Sequence, residues 1–264
     1  MRPNRTKRAA KRPEQSRAAV GALLVAALTP GVAWGDPLVT DRPDFTESAE
    51  TVPRRSHQVE GGYTFAAAGA DGEHALGELV LRLPLGARVE ARVGAGSYLI
   101  VSEPGAADTY GDPSLGVKVK LLDARPGGAP DLAAMVTLIA ERAGASAARR
   151  LIPELKLLAA RDLSSRFALS ANLGAAFNED GASGIASLSL GIDLCPWLGA
   201  FAEAFGVGPM RTRDGRSAFV DSGLTWRLHD DLQIDARAGA GRIVVADHDT
   251  DDASFIGTGL SYRW

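Results

Sequence analysis

Residues 185–194 read "IASLSLGIDL", and within them Ala186, Leu188, Leu190, Ile192 and Leu194 alternate with Ser187, Ser189, Gly191 and Asp193. A period of two sorts the apolar set onto one face of an extended strand and the polar set onto the other. A helix, with about 3.6 residues per turn, would scatter both sets around its axis. The same alternation runs through "SLGVKVKLL" at 114–122, where Leu115, Val117, Val119 and Leu121 are separated by Gly116, Lys118 and Lys120. The chain reads as all-β.

Working outward, the pattern recurs at 56–68, 75–84, 87–100, 113–122, 132–142, 150–160, 166–178, 184–194, 198–208, 217–228, 232–245 and 254–264. Twelve is an even number, and most segments have the roughly 10 residues that a tilted strand needs to cross a bilayer. The connections "LPLG", "RDLSS", "CPW" and "HDD" are tight, while "VSEPGAADTYGD", "EDGAS", "PMRTRDGR" and "ADHDTDD" are longer and polar. Short turns at one rim and long loops at the other predict an antiparallel up-and-down transmembrane β-barrel of about 12 strands. "DARPGGAPD", after the fourth strand, is long for a turn on the short-turn rim.

The amino end points to export. Arg2, Arg5, Lys7, Arg8, Lys11, Arg12 and Arg17 precede the apolar run "AAVGALLVAALTPGVAW" and a small-residue site at Ala33, Trp34 and Gly35. This predicts a cleaved signal peptide over 1–35, with cleavage before Asp36. A short segment at 36–55 and a barrel at 56–264 follow, and the predicted location is the bacterial outer membrane. The leader holds seven of the 29 Lys and Arg but one of the 32 acids, so the remainder carries 22 bases and 31 acids, a net −9. That balance argues against a nucleic-acid partner, because phosphate binding needs a basic surface. Cys195 is the single cysteine, so no internal disulfide is available. Between 36 and 264 no apolar run is long enough for a membrane helix, leaving strands as the means of crossing.

Alternation alone does not say which face meets lipid; the charges do. One face carries Glu60, Glu78, Arg82, Arg88, Glu90, Arg92, Lys118, Lys120, Glu154, Lys156, Asp221, Arg227, Asp235 and Arg237. Burying these unpaired in a dry core would cost several kcal/mol per ion, on the order of what single ions lose on desolvation. They are expected to line a hydrated lumen, mostly as cross-strand ion pairs. In the last segment, "FIGTGLSYRW", Ile256, Thr258, Leu260 and Tyr262 share a face opposite Gly257, Gly259, Ser261 and Arg263. A final strand ending on an aromatic residue, Trp264, with Trp226 in the same girdle, is the outer-membrane pattern. Outer-membrane lipid and, through the terminal strand, the barrel-assembly machinery are the expected partners.

Before the first strand lies "TDRPDFTESAETVP" at 40–53, the densest polar knot of the chain. A charged segment bounded by prolines cannot join the sheet. Folded into the barrel, Asp41, Arg42, Asp44 and Glu47 could pair with the lumen charges as a small plug; the alternative is a solvated tail.

The segment "TDRPDFTESAETVPRRSHQVEGGYTF", with "GDPSLGVKVKLL" and the final "GLSYRW", resembles the transporter-type family named for the meta pathway of phenol degradation. The resemblance covers nearly the whole chain after the leader and is most specific at T-D-R-P-D-x-T-E-S. "GELVLRLPLGARVEAR" is similar to the family's Glu- and Arg-bearing hairpin, although "LPLG" replaces a turn that more commonly contains an aromatic residue. The resemblance implies an outer-membrane β-barrel that passes small aromatic or apolar compounds.

Chemistry of other kinds finds little support. His57, His74, His229 and His248 fall at strand starts, turns or loops, none beside a same-face serine as a hydrolase would need. Asp247, His248, Asp249, Asp251 and Asp252 could gather a hard cation but follow no fixed loop signature. "AGAG" at 238–241 opens no helix and is not a phosphate cradle. The expectation is therefore a non-enzymatic channel with no cofactor and no metal, passing a small-molecule solute by diffusion through a charge-lined, partly plugged lumen. The alternative is a structural or adhesive barrel that binds a partner through its outer loops.

Overall fold

The structure is a computed structural model that describes residues 38–69, 71–102, 108–125, 128–142, 149–179, 181–212, 215–244 and 249–264. The expected signal peptide lies outside them, as do Asp247 and His248. The strands are β1 (Gln58–Ala68), β2 (Asp71–Pro84), β3 (Val89–Val101), β4 (Thr109–Tyr110), β5 (Ser114–Leu122), β6 (Asp131–Arg142) and β7 (Arg149–Asp162). They continue with β8 (Phe167–Asn178), β9 (Gly181–Cys195), β10 (Leu198–Pro209), β11 (Ser217–His229), β12 (Leu232–Val244) and β13 (Thr250–Arg263). Apart from β4, neighbours in sequence pair antiparallel, and β13 returns to β1 along a register running from Gln58↔Arg263 to Ala68↔Ala253. Twelve strands thus close into an antiparallel barrel, which removes the free edges an open sheet would expose.

The two-residue β4 was not expected. It lies in the long "VSEPGAADTYGD" connection and extends the β3 ladder past the end of β5, pairing Tyr98↔Tyr110 and Leu99↔Thr109. The break between β4 and β5 has a backbone cause. Gly96 adopts a φ of +75°, and a Cβ there would lie 2.7 Å from the Gly111 carbonyl oxygen. β2, β9 and β13 also begin three to four residues earlier than alternation suggests. Ladder hydrogen bonds need no side-chain pattern, and a pattern exists only where one face meets an apolar environment.

Side chains sort as the alternation requires. On β9, Leu188 is 50% exposed, while Ser187 and Ser189 on the opposite face are 8% and 2% exposed. Leu151, Leu157, Leu173 and Val220 are exposed on the outside of their strands in the same way. The buried face instead holds Gln58, Glu60, Arg82, Glu90, Lys118 and Asp235. That is the inverse of a water-soluble barrel. Its compact apolar cluster is small and one-sided: Ala133 and Met135 of β6 and Leu158 of β7 pack around Ala49 from the segment before β1. Among the described residues no helix is long and apolar enough to cross a membrane.

Candidate functional site: the charged interior and the amino-terminal segment

The inward face of β1–β5 is an ion-pair ladder produced by cross-strand register. Val59↔Leu81 and Gln58↔Arg82 bring Glu60 beside Arg82, and Arg82↔Arg92 and Pro84↔Glu90 bring Glu90 beside both arginines. Arg82 Nη1 donates to Glu60 Oε1 at 2.8 Å and its Nε donates to Glu90 Oε1 at 2.9 Å; Arg92 Nη1 donates to the same Glu90 oxygen at 3.1 Å. Charge-assisted bonds shielded from water each contribute about 1.5–3 kcal/mol.

The segment before β1 supplies what the ladder lacks. Asp41 receives Lys118 Nζ at 3.1 Å and Arg92 Nη1, with Arg82 Nη1 at 3.5 Å. Burial works against its charge, but Arg82, Lys118 and Arg92 outweigh that and hold its carboxyl well below the usual carboxylate range. The backbone amides of Asp41 and Arg42 donate to Glu60 at 3.1 and 3.0 Å, and Val52 N donates to Glu90 at 2.7 Å. Lys118 Nζ also donates to the carbonyls of Ser48 and Glu50. A proline-bounded, strand-incompetent stretch has backbone groups to satisfy, and the charged side chains of the wall satisfy them.

Arg42 takes a different direction. Its Nη1 donates to Glu78 Oε2 at 2.8 Å, its Nη2 donates to the Thr258 carbonyl at 3.2 Å, and Asp235 lies at 3.6 Å. Two backbone features make this possible. Gly77 (φ +106°) and Glu78 (φ +43°) form a bulge that shifts the register against β1 and β3 and presents Glu78 to Arg42 and to Thr64 at 2.9 Å. Gly259 lies beneath the guanidinium, where a Cβ would fall 2.2 Å from Arg42 Nε.

Further along, Glu47 accepts from Lys156 Nζ at 3.0 Å and Arg92 Nη2 at 3.4 Å, while Lys156 also holds Glu154 at 3.0 Å. The Asn172 amide brackets the Glu47 backbone, accepting from its N–H at 2.7 Å and donating to its C=O at 3.1 Å. Asp44 accepts from Ser189 Oγ at 2.7 Å. Burial, then the charges of Glu203 and Asp221, push the Asp44 carboxyl up to about 7 against the Ser189 hydrogen bond. Glu203 of β10 accepts from the amides of Phe45 at 2.7 Å and Thr46 at 2.6 Å. Lys120 pairs with Asp131 at 2.9 Å and with Glu50.

Arg88 and Arg227 are elsewhere. Arg88 sits in the β2–β3 turn, half exposed against Asp123, and Arg227 is exposed where a register shift ends the β11–β12 ladder. Arg227 keeps the inward register, opposite Gln233, but stands next to the bulge at the rim, and Arg88 lies one residue before β3; both side chains reach water there. Asp221 faces inward at 7% exposure, directly across from Glu203, and Arg237 donates to the Pro43 carbonyl at 2.9 Å.

Glu203, Ser189 and Asn172 escaped sequence reading, as did an aromatic file. Phe45 stacks on Phe205 with centroids 4.3 Å apart, and Phe205 meets Phe219 at 5.2 Å; Phe255 lies 6.0 Å from Phe219 beneath the Arg237 guanidinium. In "AFAEAF" both faces are apolar, so the period is muted. Glu203 alone could have marked Phe201 and Phe205 as its same-face neighbours.

On the side away from this file a cavity of about 210 Å³ remains between Glu47 and the wall, lined by Val80, Arg92, Met135, Ile139 and Glu154 among others. No grouping of His, Cys, Asp and Glu among the described residues could hold a metal ion.

A closed antiparallel barrel of 12 strands with its charges inside and its leucines outside has the fold of the outer-membrane porins. An outer-membrane channel from Pseudomonas putida F1 superimposes with a TM-score of 0.60 at 14% identity, over 82% of this chain and 98% of that one. The NanC porin superimposes with a TM-score of 0.50 at 10% identity, over 76% and 98%. No curated protein matches the sequence. The chain belongs to the family described as the MetA-pathway of phenol degradation, whose model matches residues 40–264.

Proposed function

We propose that this protein is an outer-membrane channel that passes small solutes by diffusion, and that the short amino-terminal segment before β1 narrows its lumen as a plug. The observation that carries the reading is the inverted sorting of side chains: leucines and valines on the outside of a closed barrel, buried charges on the inside. Such a surface is stable where lipid covers it and unfavourable in water. An exported chain with a cleaved leader, inserted through its terminal strand by the assembly machinery, would reach that setting. The bonds from Asp41, Arg42, Glu47 and Thr46 to β1, β2, β3, β5, β7 and β10 support the narrowing role. The cavity beside Glu47 supports a residual path.

That path sets Val80, Met135 and Ile139 against Arg92, Glu47 and Glu154. Charges of both signs with an apolar strip suit solutes that combine an apolar or aromatic body with a polar group, and favour neither simple cations nor simple anions. The family's name agrees with this class.

Single-channel conductance of the refolded protein in planar bilayers tests the reading. The full chain should conduct weakly, and deleting residues 36–53 should raise conductance while heat-modifiable gel migration is kept. A truncated barrel that conducts like the intact one would reduce the segment to a tail. Recovery of the protein as a soluble periplasmic monomer would refute the membrane channel altogether.

A further inference from the structure

We infer that Asp44, Glu203 and Asp221 form a proton-binding site that couples the seating of the amino-terminal segment to pH, an inference that rests on the plug reading above. Three carboxyl groups converge on the wall made by β9, β10 and β11. Asp44 is held to Ser189 of β9 at 2.7 Å, Glu203 of β10 grips the amides of Phe45 and Thr46, and Asp221 of β11 sits directly opposite Glu203 in register.

The cations around this patch make their bonds elsewhere, although the charge of Arg237 reaches Asp221. Lys156 of β7 lies 5.9 Å over the Phe45 ring but bonds Glu47 and Glu154. Arg237 of β12 donates to the Pro43 carbonyl and covers Phe255. Arg42, on the segment itself, reaches Glu78 of β2, with Asp235 of β12 beyond. β8 presents the neutral Asn172, and β9 the neutral Ser187 and Ser189. Neither carboxylate oxygen of Asp221 has a hydrogen-bond donor, although the side chain is 7% exposed. Asp41, about three residues along the same segment, meets three cations; Asp44 meets carboxylates. Neighbouring carboxyls in a buried site cannot all ionise cheaply, and Asp44 is the member that leaves this patch when the segment lifts.

The direction of the coupling follows from the Asp44 carboxyl being pushed up to about 7 when seated, first by burial and then by Glu203 and Asp221. Released into water, the same group would titrate at the ordinary value of about 3.9. Seating therefore takes up a proton between about pH 4 and 7. Within that window each unit of acidification favours the seated state by up to about tenfold, and outside it the dependence is flat. The segment is clamped in acid and loosened at neutral pH.

Conductance of the refolded full chain, recorded from pH 4.5 to 8.5 beside Asp44→Asn and the 36–53 deletion, tests this. The wild type should conduct less as pH falls from 7 to 5, Asp44→Asn should stay low and flat to pH 8, and the deletion should be high and flat. Hydrogen exchange at the Phe45 and Thr46 amides, corrected for intrinsic rates, should show protection that weakens towards pH 7 in the wild type alone. An Asp44→Asn profile that follows the wild type, or protection independent of pH, overturns the proton site while leaving the plug intact. A deletion that conducts like the full chain overturns the plug instead.

Discussion

Arg42 of the amino-terminal segment lies over Gly259 of β13, close enough that a single added methyl carbon would fall 2.2 Å from its Nε. The glycine is a seat for the guanidinium, from which it reaches Glu78 across a bulge in β2.

Gly259→Ala should therefore unseat Arg42 without disturbing the ladder, because the three nearest atoms to the new carbon all belong to the flexible Arg42 side chain. Loss of the bond to Glu78 removes about 1.5–3 kcal/mol of segment docking, partly recovered by water. Conductance should rise modestly and heat-modifiable migration should persist. Arg42→Ala should match it, and the double variant should add nothing further, since both remove the same guanidinium contacts.

Asp41→Ala should be the most damaging single change in the segment. It leaves Arg82, Arg92 and Lys118 buried around a missing anion, and breaking a buried pair this way costs about 3–5 kcal/mol. Open-channel conductance close to that of the 36–53 deletion is expected. The sign of the pH dependence also follows. The seated carboxyl lies below its free value of about 3.9, so its contribution is fully present above that value and is lost as pH falls through the lower, seated one. From pH 5 to 8 it should be constant, which separates it from Asp44 in titrations of segment exchange.

Phe45→Ala removes the stack on Phe205, worth about 0.5–1.5 kcal/mol beyond its buried area. Phe45→Leu, which keeps area and loses ring geometry, should fall between. Amide exchange at Thr46 should order the three proteins as wild type, Leu, Ala.

Leu188→Arg places a charge on the outward face, where the midplane cost is about 2–4 kcal/mol. Ser189→Arg places it inward beside Asp44 and Glu203, where it has acidic partners. Reversible urea unfolding in liposomes should show the first change to be much the costlier, whereas equal costs would mean that the faces are misassigned.

The class of fold was written in local pattern. A period of two in 114–122 and 185–194 states that those residues are strands and which of them share a face, and the charges on one of those faces mark it as inward before any partner is known. Alternation is a property of one strand against two environments, so a single sequence records it. It is silent where that condition lapses: at β4 and in "AFAEAF", where both faces are apolar; at the rim, Arg88 and Arg227 keep the pattern but are exposed.

The sequence by itself thus determined a barrel and which residues share its outward and inward faces. Only the tertiary structure decided what those residues touch. That Asp41 meets three cations and Asp44 two carboxylates depends on register summed around a closed sheet, on a bulge at Gly77 and Glu78, and on glycines that leave room for a guanidinium. Two aspartates separated by Arg42 and Pro43 look alike in sequence. The wall each one faces is built from strands up to about 180 residues away, and charge partners at that separation leave no local trace.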